Sequence, residues 1–401
     1  MRILERCSAC VAIGGVPAQN SHVVLPAIAY NGRSYNHTST TTVDKITLQY
    51  PEFVTNMPAP YNTSDDRVII AAASEYVGVF LSDGTASNDL KFGYFRAADG
   101  SDMNWDSLET LDFGRPSQVD DNNLTICADG TPAVVYYSNA GGACIYRKGS
   151  LVNGVPTFVG STGYSVGFTG TNQSLSLQVT SARVWVKRST DQVYRSLSTD
   201  GSSGFALMAS YGGSALAGSH MTRLGDVIYF GLGSTSINLS IYRISGDLVE
   251  NIGPTTQTIT TAAQTRIHAF LYNGTHHVIC HRGTSVSANT LWATTSNALD
   301  VTPTWNTFTW NYSFVQSVFA NTNHLHLRGR RWNGVDWPEI HMVTKGPIPT
   351  SAADEIAYVD ASSDFIAKSY LYKNGIISTL YSTRAFVYYP MDVVVITADG
   401  K

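Results

Sequence analysis

The feature that most narrows what this chain can fold into is a short motif recurring at a nearly fixed interval. Tyr94-Phe95-Arg96 is echoed by Ile145-Tyr146-Arg147, Val193-Tyr194-Arg195 and Ile241-Tyr242-Arg243, with the arginines 51, 48 and 48 residues apart. Leu291-Trp292 takes the aromatic place 50 residues after Tyr242, and His341 follows 49 residues later. A period of this length marks one supersecondary unit used repeatedly. Each unit cannot bury its apolar surface alone and must stack on its neighbours.

The unit reads as β-structure. Turn dipeptides Asp129-Gly130, Gly225-Asp226, Asn273-Gly274 and Asn333-Gly334 precede the aromatic strands in phase, and such pairs supply the backbone angles that tight hairpins need. Leu175, Leu177 and Val179 share one face of a strand, while Ser176, Gln178 and Thr180 share the other. Each period is therefore strand, turn, strand, loop, aromatic strand, turn, fourth strand. Four-stranded units packed face to face around an axis protect their edges by closing a ring. The expected fold is an all-β propeller of about six or seven four-stranded blades. Residues 66–350 carry the repeats. The flanks 1–65 and 351–401, the latter with a turn at Asn374-Gly375, are expected to form a closing blade or an attachment element. Two stacked β-sandwiches are the alternative, although sandwiches rarely keep so regular a period.

Only 14% of the residues are charged and the net charge is −4, which gives no electrostatic reason to expect nucleic-acid binding. No run of about 18 apolar residues is present, so no membrane insertion by a helix is expected. The first twenty residues carry Arg2 and Arg6 before a short apolar stretch. Ser8, Gly14 and Gly15 break that stretch and Glu5 sits in its basic start, so the segment is expected to remain uncleaved. Five cysteines form no disulfide framework. Cys7 and Cys10 make a lone CxxC without a second pair, and no cofactor is expected.

After Tyr194-Arg195 the chain runs Ser198-Thr199-Asp200-Gly201-Ser202-Ser203-Gly204-Phe205. This resembles the Asp box of sialidase-type propellers, a turn between third and fourth strands, with glycine displaced and tryptophan replaced. Asp99-Gly100 followed by Trp105, and Asn297 followed by Trp305, are weaker copies. The resemblance covers the repeat region and implies structural turns at Asp200 and Asp99. It also implies that a carboxylate-binding arginine would stand near the start of the propeller. Arg67-Val68-Ile69 lies there without the family's proline, and an ordinary surface arginine beside Asp65 and Asp66 is the competing reading.

Two further groups carry chemistry. His324, His326 and His341 are expected on adjacent strands, where three imidazoles would suit a transition metal; His276, His277 and His281 add to the cluster. Polar packing between blades explains the same residues. Arg328, Arg330 and Arg331 with Trp332 and Trp337 would suit an anionic glycan, with rings stacking on sugars and guanidinium groups forking onto acids. A solvated hairpin tip explains them equally. The repeated arginines 96, 147, 195 and 243 occupy one equivalent place, which argues for structure rather than a single site.

Three functions follow as expectations. The first is a non-catalytic structural or adhesion component of a virus particle, a bacteriophage tail or fibre-associated subunit, oligomeric in an assembly with other virion subunits and contacting host cell-surface glycan. The second is a glycan-cleaving sialidase-like hydrolase or polysaccharide lyase. The third is a carbohydrate-binding module, which like the second would be secreted.

Overall fold

The computed structural model describes residues 28–30, 33–39, 53–56, 68–72, 76–82, 89–96, 108–113, 123–138, 142–170, 175–188, 192–210, 220–234, 237–253, 264–283, 289–310, 313–320, 325–330, 339–344, 348–351, 355–361, 366–372, 375–380 and 385–390. Among these the regular structure is entirely β. The strands form seven antiparallel blades, each a meander whose first four strands follow the order expected from the repeat.

Blade 1 is Val68–Ala72, Tyr76–Ser82, Leu90–Arg96 and Glu109–Asp112. Blade 2 is Leu124–Ile126, Pro132–Tyr137, Ala143–Lys148 and Gly163–Thr169, with a small hairpin, Ser150–Val152 and Val155–Thr157, inserted before its last strand. Blade 3 is Leu175–Val179, Val184–Arg188, Gln192–Ser196 and Phe205–Ser210. Blade 4 is Met221–Leu224, Val227–Ser234, Ile237–Ser245 and Leu248–Gly253. Blade 5 is Gln264–Tyr272, Thr275–Gly283, Asn289–Thr294 and Trp305–Trp310. Blade 6 is Ser313–Ala320, Leu325–Arg330, Glu339–Thr344 and Glu355–Ala361, extended outward by Arg33–Ser39 and Ile28–Tyr30. Blade 7 takes Ile366–Tyr372, Gly375–Leu380 and Ala385–Pro390 from the C-terminal region and Phe53–Asn56 from the N-terminal region.

The first strands of successive blades touch in sequence, and Ile366–Tyr372 returns to Val68–Ala72. The ring is therefore closed with the first strands innermost. The chain is a seven-bladed β-propeller. Blade 7 joins strands from opposite ends of the sequence, a pairing that ties the ring shut. Every copy of the aromatic-arginine motif falls on a third strand, from Arg96 in blade 1 to His341 in blade 6.

The core is a series of layers between blades. Leu90, Phe92 and Leu111 of blade 1 meet Leu124, Val134 and Tyr136 of blade 2. Val135, Tyr137 and Tyr146 of blade 2 meet Leu175, Leu177 and Val186 of blade 3. Trp185 and Val193 of blade 3 meet Met221, Ile228 and Phe230 of blade 4, and Tyr229, Ile241 and Ile252 of blade 4 meet Ile267, Val278 and Cys280 of blade 5. Both faces of a blade are thus covered. The polar face of the strand at 175–179 is not solvated, as simple alternation suggests. Ser176 and Gln178 are buried and hydrogen-bond the backbone of Met221 in blade 4 (Met221 N–H to Ser176 Oγ, 2.9 Å; Gln178 Nε2–H to Met221 C=O, 3.0 Å). They satisfy the inward edge of the next innermost strand, which has no ladder partner there.

Candidate functional site

The chemistry-bearing side chains fall into two sets at different heights of the ring. The lower set lies at the end bearing the first-to-second and third-to-fourth strand connections, and it holds blade to blade. Arg147 donates to the Leu111 carbonyl of blade 1 (2.9 Å) and to Ser161 (3.1 and 3.0 Å). Arg195 pairs with Asp247 of blade 4 (2.9 Å), which Arg183 also reaches (3.0 Å). Arg243 grips Glu250 (3.1 and 2.5 Å) and the Ala298 and Asp300 carbonyls of blade 5 (2.8 and 3.1 Å). Arg96 lies against the ring and hydroxyl of Tyr76 on its own blade. Arg147, Arg195 and Arg243 are inter-blade clamps.

The turn at 198–204 belongs to the same end. Asp200 accepts the Ser202 N–H (3.0 Å) and hydroxyl (2.8 Å), and these bonds hold its carboxyl below the usual range. Its side chain is exposed. The inter-blade contact comes from its neighbours: Tyr146 of blade 2 donates its hydroxyl to the Thr199 carbonyl (2.7 Å) and packs on Gly201. We expect Asp200→Ala to cost under about 1 kcal/mol, as an exposed hydrogen bond does. Gly201→Ala should cost about 1–2 kcal/mol from its positive φ of 84°, and more because the added Cβ would stand 2.8 Å from Tyr146 Cδ1. Urea denaturation of both variants checks the order, and an equal loss at the two positions would contradict it. Trp305 of blade 5 repeats the device, donating Nε1–H to the Ile252 carbonyl of blade 4 (2.9 Å).

His276 and His277 also lie at this end and are held in structural bonds. His276 Nδ1 meets the Tyr229 hydroxyl of blade 4 (2.9 Å). Thr275 commits its proton to the Tyr272 carbonyl (2.8 Å), so His277 Nε2 is the donor in their 2.8 Å contact. Burial lowers the pKa of both rings.

The upper set stands where blades 3, 4 and 5 meet. Lys187 is buried at 1% exposure and pairs across the sheet with Ser176, on the face towards blade 4. His220 precedes the first strand of blade 4, and its Nδ1 accepts the Ile267 N–H of blade 5 (3.3 Å). The His268 ring stands 5.3 Å from it, centroid to centroid. Arg266 lies two residues along the same strand and pairs with His281. Burial first, then His268, Arg266 and Lys187, hold the His220 pKa well below its ordinary value. His220 keeps partial exposure.

Of the residues singled out from the sequence, Arg67, Arg331, Trp332, Trp337, His324 and Asp99 lie outside the described residues. Arg328, Arg330 and His326 are on the second strand of blade 6, and His341 on the third, where it pairs with Arg328. Among the described residues no three His, Cys, Asp or Glu side chains are placed to hold a metal ion. His220 and His268 were missed, although a signal was present. They are 48 residues apart, the interval between Arg195 and Arg243. Each stands four residues before the residue that closes its hairpin turn, as does Ser176.

No family model matches the sequence, and no curated protein matches it. Solved structures with a similar fold include the WD40 domain of Toxoplasma gondii coronin (10% identity, TM-score 0.49, 88% of this chain and 89% of that one). The β-propeller domain of the Trilobed protease from Pyrococcus furiosus is also similar (9% identity, TM-score 0.49, 84% and 98%), as is YCF48 bound to D1 peptide (8% identity, TM-score 0.48, 93% and 99%). These likenesses concern the fold alone.

Proposed function

We propose that this chain is a non-catalytic structural or adhesion component of a virus particle, a bacteriophage tail or fibre-associated subunit that works within an assembly. The observation that carries the reading is where seven of the exposed aliphatic side chains stand. Leu151, Val152 and Val159 of blade 2, Leu197 of blade 3, Leu248 of blade 4, and Leu299 and Val301 of blade 5 are all exposed, Val301 at 81%. Each lies in, or directly beside, the connection between the third and fourth strands of its blade, so four consecutive blades present them at one end of the ring. Single exposed aliphatics are ordinary, but a set gathered on one end suits burial against other virion subunits.

The use of Arg147, Arg195, Arg243 and Tyr146 as blade clamps supports a rigid scaffold over a catalytic one. Kinship with the sialidase-type Asp-box propellers is part of the proposal, supported by the turn at 198–205 and its aromatic neighbour Phe205, which packs on Tyr146. In this reading the opposite end is free for a host cell-surface glycan. The runner-up is a secreted glycan-cleaving enzyme of the same fold.

The test is incorporation. Val159→Asp with Val301→Asp should leave stability within about 0.5 kcal/mol, as surface changes do, and reduce the chain's abundance in purified particles at least tenfold by quantitative mass spectrometry. Unchanged incorporation, or absence of the wild-type chain from particles, would overturn the proposal. Turnover of an anionic polysaccharide by the purified protein would put the enzyme in its place.

A further inference from the structure

We propose that the outer edge of blade 5, the strand Trp305–Trp310, pairs with the same strand of a second copy of this chain. The outermost strand of a blade is bonded on one side only, and such an edge is a template for another strand unless something blunts it. Among the described residues, the outer strands of blades 1 to 4 each carry a register shift against the strand within, a local kink that commonly blunts an edge. In blade 6 the fourth strand is covered by Arg33–Ser39, and the outer strand of blade 7, Phe53–Asn56, is four residues long. Trp305–Trp310 is six residues long, pairs with Asn289–Thr294 without a shift, and contains no charged residue or proline.

The ladder fixes which groups this edge presents. The Thr295 N–H donates to the Thr304 carbonyl (2.8 Å), in register with the pairs from Thr294 and Trp305 to Asn289 and Trp310. Bonded and non-bonded pairs alternate along an antiparallel ladder. Asn306, Phe308 and Trp310 therefore bond inward, and Trp305, Thr307 and Thr309 turn their N–H and C=O groups outward. Thr307 and Thr309 are exposed. A two-fold axis at Thr307 satisfies all of these groups together: Thr307 exchanges both bonds with its copy, and Trp305 exchanges both with Thr309. Side chains then meet as Thr307 with Thr307, Trp305 with Thr309, and Asn306 with Phe308. Thr–Thr and aromatic–β-branched pairs are favourable across strands, and no like charges oppose one another. The same operation at blade 1 would set Glu109 against Asp112. Trp305 is already held by its bond to the Ile252 carbonyl, so pairing has less left to order. This self-complementarity is what an isologous contact requires, and it selects a second copy as the occupant.

The contact does not rest on the assembly role proposed above, and its test uses the purified full chain where that one uses particles. The experiment is sedimentation velocity across micromolar to sub-millimolar protein. One edge contact is small and reversible, so the average mass should climb towards twice that of the chain. Over the same range the Thr307 and Thr309 amides should gain protection from hydrogen exchange. Thr307→Lys sets two ammonium groups against each other and should weaken the dimer about tenfold or more. Leu207→Lys, on the shifted outer strand of blade 3, should leave it unchanged. Thr307→Glu should be monomeric as well, and an equimolar mixture of the Lys and Glu variants should dimerise again, which requires folded chains paired at this residue. A wild type that stays monomeric overturns the proposal, and cross-linking of this strand to a different subunit in purified particles would then give the edge to that subunit. A Thr307→Lys dimer of wild-type strength, or a mixture of folded variants that stays monomeric, overturns it too.

Discussion

Replacing Arg243 by alanine should destabilise the propeller by about 2–4 kcal/mol, the largest loss expected from any of the repeated arginines. Arg243 is 6% exposed. It bonds Glu250 on its own blade and two carbonyls, Ala298 and Asp300, on the next. Truncation leaves those carbonyls and the carboxylate without their donor, and charge-assisted bonds are worth about 1.5–3 kcal/mol each time such a group is stranded. Lysine should not rescue the loss, because one ammonium cannot span a carboxylate on one side and two carbonyls on the other. Arg96→Ala is the control. Arg96 is exposed, so its loss should stay under about 1 kcal/mol. Urea denaturation of both variants decides the matter. Equal losses would mean that the repeat position matters for strand propensity and not for the inter-blade clamp.

That contrast also shows what the sequence could and could not reveal. The period was legible because it is local: an aromatic and an arginine on each third strand, a turn pair before it, and nearly constant spacing. Partners were not legible. Arg147 reaches back to blade 1, while Arg195 and Arg243 reach forward. Direction depends on which connection of the neighbouring blade offers a carbonyl or carboxylate, and those connections vary in length. The same limit applied to Ser176 and Gln178. Alternation identified a polar face correctly, but only the stacked structure shows that this face is buried and serves the inner edge of blade 4. Pairing of Phe53–Asn56 with Ala385–Pro390 spans the whole chain, and nothing in either short strand specifies the other.

The candidate site hid for a related reason. The late histidines drew attention because they are close in sequence, yet His276 and His277 serve hairpin and blade contacts. His220 and His268 are far apart in sequence and adjacent in space because they stand at equivalent positions of neighbouring blades. A repeat brings equivalent residues together around the axis, so in a ring the informative spacing is the period itself. Lys187 and Arg266 act on His220 from the blades before and after it.

Acidification should therefore loosen the protein between about pH 7 and pH 5, before the carboxylates respond. His220, His276 and His277 all have pKa values lowered by burial from the ordinary 6.5. In this window the unfolded chain binds more protons than the folded one, so stability rises with pH and falls as pH drops below the unfolded value. Each histidine contributes at most about 1.4 kcal/mol per pH unit, and the partial exposure of His276 reduces its share. Asp129, Asp200, Asp226 and Asp247 have lowered values, so their contributions are lost only as pH falls through and below the ordinary carboxylate range near 4. The two regimes separate on the pH axis. The structural cause at His220 is specific: protonating Nδ1 sets a donor against the Ile267 N–H beside three basic neighbours. Urea midpoints at pH 8, 7, 6 and 5, in chloride free of sulfate and phosphate, should fall steadily for the wild type. The fall should be shallower for His220→Asn, which accepts the same N–H and does not titrate. A flat profile, or an identical slope in the variant, would remove His220 as the acid-sensitive joint between blades 4 and 5.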